Sequence, residues 1–169
     1  MTSETGNKRW LMKALREVPG ELHKQFYGVD ERDLRWRPAK GDWCLKEIAA
    51  HMRDYEQLVQ RQIELITRRR EPRLPHEAID VLPSERNYRD ESVIDLLYEY
   101  ANAREETGWL LYTLEEDDWL RGGIHPYRAR VTIYDIAREL HEHDLQHLYQ
   151  AQKVRKALTQ RPSRANRAP

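Results

Sequence analysis

Apolar residues recur at steps of three and four through four long stretches of the chain, and this restricts its folding more than any other feature. That period lines one face of a helix, whereas the two-residue alternation of a half-buried strand is absent. The first stretch runs from about Lys8 to Tyr27, with Trp10, Leu11, Leu15, Val18, Leu22 and Phe26 as its stripe, Pro19 as a kink or restart, and Gly28 as a C-cap. The second runs from Trp43 or Cys44 to about Arg69 through Leu45, Ile48, Met52, Tyr55, Val59, Ile63 and Ile66. Glu47 is spaced for a capping box there; Cys44 is a poor cap, which leaves Asp42 as the alternative. The third stretch covers Glu91 to Leu114, with an inner face expected at Ile94, Leu97, Ala101, Leu111 and Leu114 and interrupted by Arg104 and Thr107. The fourth starts at the capping pair Thr132 and Asp135 and ends near Leu158.

Between the second and third stretches, Glu71 to Asp90 carries Pro72, Pro75 and Pro83 without periodicity. A connection of about twenty residues is long for a helix pair, where about 2–8 is usual, and a crossover that lets the two helices run parallel accounts for it. The expected architecture is therefore all-α: a four-helix bundle over residues 1–160, with a long crossover between helices two and three, no β-strand, and a basic flexible tail at 161–169.

Composition removes several classes of function. The single cysteine, Cys44, cannot form an intramolecular disulfide or a multi-cysteine zinc site. Equal numbers of basic and acidic residues, 29 of each, give no sequence-wide basic field for a phosphate backbone. The clusters Arg68–Arg70 and Arg161, Arg164 and Arg167 read as solvated helix ends and tail, so no nucleic-acid partner is expected. No apolar run approaches the roughly 20 residues of a membrane helix, and no apolar segment follows the polar N-terminus, so a cytoplasmic location without membrane association is expected.

Metal-binding nitrogen is left to seven histidines. The inner stripe of the fourth helix reads Ile133, Ile136, Leu140, His143, His147, Ala151, Val154 and Leu158, so histidine holds two consecutive core positions. Four residues advance a helix by about 6 Å and turn it by about 40°, which lets His143 and His147 share an ion; His141, two residues back from His143, points elsewhere. His51, between Ile48 and Tyr55, falls near the inner face of the second helix. Three inward imidazoles from two helices form an N₃ set with an open coordination position; imidazole nitrogen suits zinc, nickel, iron or copper, with zinc, nickel or iron expected here. The plainer alternative is a buried polar network in which the imidazoles satisfy one another.

GDWCLKEIAAHMRDYE resembles the second-helix signature of the DinB/YfiT-like superfamily, and HEHDLQHLYQ resembles its fourth-helix signature. With DLRWRPAKGDW and HPYRARVTIYDIARELHEHD, the resemblance covers about residues 8–158. It implies an up-down-down-up bundle with one divalent metal per chain held by His51, His143 and His147. It further implies a metal-dependent enzyme, either a thiol S-transferase or isomerase using a low-molecular-weight thiol or a hydrolase, acting on a small-molecule substrate. Cys44 stands where the family usually has Ser.

Gln150 and Asp54 lie one turn beyond His147 and His51 and are candidates to hydrogen-bond the ligand imidazoles or a bound water. Glu47 reads as a cap residue. Arg104 is a candidate for a substrate carboxylate, or else an arginine whose stem packs while its head reaches water or a glutamate. Trp36, Trp43, Trp109 and Trp119 read as packing or loop residues, and exposed tryptophans together with the family habit make a homodimer the expected assembly. A non-catalytic, metal-stabilised bundle that binds a partner is the competing function.

Overall fold

The computed structural model describes residues 2–161. In chain order its helices are α1 (Thr2–Phe26), the single turn α2 (Glu31–Leu34), α3 (Leu45–Arg68), the short α4 (Leu82–Glu85), α5 (Val93–Tyr112) and α6 (Ile133–Thr159). Strands β1 (Gly122–Ile124) and β2 (Arg130–Thr132) pair antiparallel between α5 and α6. Among the described residues, no helix is long and apolar enough to cross a membrane.

Side-chain pairs fix the direction of each long helix. On α3 and α5 the partners rise together, Arg53 with Glu99, Glu56 with Arg104 and Gln60 with Glu106, so these helices are parallel. Trp10 meets His141 and Tyr27 meets Arg155, so α1 and α6 are also parallel. Trp43 meets His147 while Tyr55 meets His143, which sets α3 against α6. The topology is therefore up-down-down-up.

The crossover is pinned along the helix it retraces. Gln62 donates to the Pro75 carbonyl at 2.9 Å, Arg61 pairs with Glu77 at 2.8 Å, Asp54 receives Arg86 at 3.1 Å, and Arg53 reaches Glu91 at 2.6 Å. As the chain advances, its partners step back along α3, whose 24 residues span about 36 Å. Turns at Ile79–Val81, α4 and Tyr88–Asp90 shorten this path where the sequence shows no period.

Two apolar clusters fill the bundle. One gathers Val18, Leu22, Ile48, Met52, Tyr100 and Ala151; the other gathers Leu11, Leu15, Val59, Ile63, Leu111 and Leu140. On α3, α5 and α6 a polar position separates them, and those positions form one layer: Glu56, Arg104 and Asp144 are all 3% exposed or less. The Arg104 guanidinium reaches Glu56 at 2.8 and 2.6 Å and Asp144 at 2.8 and 3.0 Å. Its remaining bond, 2.8 Å to the Leu15 carbonyl, explains how Pro19 sits inside α1 without breaking it. A proline leaves the carbonyl four residues back without its helical donor, and Arg104 supplies one.

Several expectations are corrected. Trp10 is 61% exposed and leans on His141 rather than entering the core; Leu11 to Phe26 set the inner face. Cys44, not Asp42, is the N-cap of α3, and the Glu47 carboxylate accepts from the Cys44 N–H at 2.8 Å. On α5 the buried face is Leu96, Tyr100, Ala103, Arg104, Thr107 and Leu111, while Ile94 is 76% exposed. Arg104 and Thr107 lie in the middle of that face because the buried ion pairs, not the apolar count, set its phase. The hairpin was not expected because three-residue strands containing two glycines carry no alternation. Gly123 is required there by close approach: a Cβ would lie 2.5 Å from the Leu74 side chain and 2.9 Å from the Pro72 carbonyl. From residue 162 onward the expected tail lies outside the described residues.

Candidate metal centre

Beside the buried ion network, α3 and α6 bring His51, His143 and His147 together. One nitrogen from each ring lies within 4.8 Å of the others, and His51 Nε2 and His143 Nε2 are 2.8 Å apart. His51 and His147 are buried and His143 is half-buried. Two imidazole nitrogens that face each other at this distance share one proton when no cation is present; a cation lets both act as acceptors. The arrangement can therefore hold one divalent ion through three neutral nitrogens.

Neighbouring rings fix the imidazoles. Trp43 stacks on His147 with centroids 5.6 Å apart and planes 7° from parallel, and Tyr55 stacks on His143 at 3.7 Å. Trp43 also tilts against His51 at 4.8 Å. Burial, followed by the neighbouring His147 and His51, pushes the His143 imidazole down to about 2, so it is neutral as a metal ligand must be. Gln150 lies where the sequence places it: the His147 Nδ1–H donates to Gln150 Oε1 at 2.8 Å, leaving the Nε2 lone pair to face the cluster. The buried Nδ1 of His143 has no hydrogen-bond partner among the described residues.

Two candidates go elsewhere. Asp54 accepts from the Tyr88 hydroxyl, from Arg86 and, at 2.9 Å, from Arg53, so its carboxylate anchors the crossover and not an imidazole. Arg104 is locked between Glu56 and Asp144 and has no face left for a substrate carboxylate. His141 turns toward α1, as its position requires. Cys44 is buried, and burial pushes its thiol up to about 11, so it offers no ready thiolate.

Sequence reasoning missed the ring partners Trp43 and Tyr55 and the acids Glu56 and Asp144. The acids carried a usable signal, since Met52, Glu56, Val59 and Leu140, Asp144, His147 keep steps of three and four. Charges on a core stripe demand buried partners. A pocket of about 430 Å³ opens beside Trp43, lined by Arg37, Glu47, Pro83, Arg86 and Arg89. Glu47 is held below the usual carboxylate range there: burial opposes this, but hydrogen bonds from Arg37 and the Cys44 N–H prevail.

The family model for the DinB superfamily matches residues 14–151. The chain belongs to the DinB superfamily. Among solved structures, this DinB-superfamily chain is similar to YfiT from Bacillus subtilis, described as a probable metal-dependent hydrolase with an unusual four-helix bundle topology. The TM-score is 0.83 at 16% identity, covering 90% of this chain and 87% of that one, which establishes a common fold. No curated protein shows significant sequence similarity to the chain.

Proposed function

We propose that this protein is a metal-dependent enzyme whose His51, His143 and His147 hold one divalent transition metal, zinc, nickel or iron, to act on a small-molecule substrate. One observation carries the reading: three imidazole nitrogens within 4.8 Å of one another, in rings fixed by stacking and by Gln150. A dication on three neutral ligands lowers the pKa of a bound water to about 7 or holds a thiol as thiolate, giving hydrolase or thiol-transferase chemistry at neutral pH. The chain's own residues divide the remaining work. Trp43 and Tyr55 shield and orient the imidazoles, and Gln150 keeps the His147 proton on Nδ1. With Cys44 buried, any thiol nucleophile must arrive as a cosubstrate.

Elemental analysis of the purified protein tests the site: about one metal per chain is expected, with near-complete loss in His147→Ala. Unchanged metal content in that variant overturns the assignment. Activity is tested by screening low-molecular-weight thiols with electrophiles, and esters and amides without them. Turnover that disappears on chelation and returns on metal readdition is expected. Melting that depends on metal with no turnover in any arm would support a structural metal instead.

A further inference from the structure

A second site lies on α1 and α5, away from the histidines of α3 and α6. There a groove of about 720 Å³ runs between the two helices, within the range of small-molecule sites. Met12 and Ala101 form its apolar walls, and Trp109 and Tyr112, 61% and 70% exposed, stand at its edge. An exposed tryptophan and tyrosine one turn apart on a helix leave apolar surface without cover.

Gly108 lines the groove without adding a side chain to it. It lies within α5, where glycine costs about 1 kcal/mol relative to alanine. A Cβ built there would meet nothing within 4 Å, and its φ is not positive, so neither packing nor backbone conformation requires glycine. The space that it leaves belongs to the groove.

Charge selects the occupant. Arg9 and Arg16 border the groove seven residues apart on α1, about 10 Å along the axis and on one face. Among the described residues neither guanidinium engages a carboxylate, whereas Lys13 between them pairs with Glu17 at 3.9 Å. Glu105 is the acid in the lining. Two guanidinium forks with no carboxylate partner among the described residues, beside an aromatic-edged groove, match a ligand with one carboxylate and a long apolar body. We infer that the α1/α5 groove binds an amphipathic monocarboxylate of the fatty-acid type, its carboxylate on Arg9 or Arg16 and its apolar body along Gly108 and Trp109.

Calorimetric titration of the full chain with dodecanoate, kept below micelle formation, tests this, with dodecanol as the uncharged counterpart and tryptophan fluorescence as a second readout. Saturable one-to-one binding of dodecanoate is expected, at least about tenfold tighter than dodecanol, as loss of a charged hydrogen bond implies. Arg9→Glu/Arg16→Glu should remove that preference. Gly108→Leu should abolish binding of both probes while leaving the melting temperature unchanged or raised. Equal affinity for the two probes, binding that persists in Gly108→Leu, or no binding to the unaltered chain overturns the inference. So does a dimer that Gly108→Leu converts to monomer without any effect of dodecanoate, since the groove would then be an interface between copies.

Discussion

Replacing Arg104 by methionine tests whether the polar layer holds the four helices together. The substitution keeps much of the stem and removes the guanidinium, which donates to Glu56, Asp144 and the Leu15 carbonyl. Removing one partner of a buried ion pair costs about 3–5 kcal/mol, and an orphaned buried carbonyl adds about 1–3. Protonation of the stranded carboxyls and entry of water offset part of this, so a net loss of about 4 kcal/mol is expected against a domain stability of about 5–15. For a chain this long that is a fall of roughly 8–16 °C in Tm. The loss should also depend on pH. Burial, opposed by Arg104, already pushes Asp144 from its ordinary 3.8 up to about 6. The folded state therefore holds the extra proton between those values; the associated stability is complete below about 3.8 and is lost as pH rises through about 6. Without Arg104 the ionised carboxylates are disfavoured further, so Arg104→Met should cost more at pH 7 than at pH 4. Urea unfolding of metal-free protein, followed by far-ultraviolet circular dichroism at both pH values, measures this, with Arg104→Lys retaining charge but not the fork. A loss below about 1 kcal/mol, or one equal at the two pH values, refutes the reasoning.

Three further outcomes are expected. Gln150→Ala should weaken metal affinity about 10–100-fold by freeing the His147 tautomer, as read by competition with a chromophoric chelator; Gln150→Glu should retain it. In metal-free protein, His143 opposes folding in acid. Its imidazole is pushed from 6.5 to about 2, so the unfolded chain takes up a proton that the folded chain refuses, and stability falls with pH across that window. Relative to His143→Gln, the parent should lose about 1.4 kcal/mol per pH unit below about 6.5, measured by urea midpoints; parallel pH profiles would contradict the assigned burial. Cys44 should resist a thiol-specific aromatic disulfide in the native state and react at once in denaturant, and fast native labelling would show that α3 opens at its N-terminus.

The sequence revealed the histidine cluster and the bundle more clearly than it revealed the third helix, and one physical cause underlies both. On α6 the apolar residues and the histidines share one stripe, so periodicity alone brings His143 and His147 to the same side. On α5 it misleads, because Ile94, Tyr98, Trp109 and Tyr112 are apolar and exposed while Arg104 and Thr107 are polar and buried. Burial there follows charge complementarity: one arginine on α5 meets one acid from α3 and another from α6, and a single helix cannot show that its partners exist. Reading the three core stripes together would have shown it, since Glu56, Arg104 and Asp144 each sit at an inward position and sum to one positive and two negative charges. Buried charges of opposite sign on three helices destined for one core are a contact prediction in themselves. Charge complementarity also separates Arg104 from the arginines of α1 as partners for an anion. Arg104 is neutralised within the fold by Glu56 and Asp144, whereas Arg9 and Arg16 border the α1/α5 groove with no carboxylate partner among the described residues, so the inferred anion site falls on α1 and not in the polar layer.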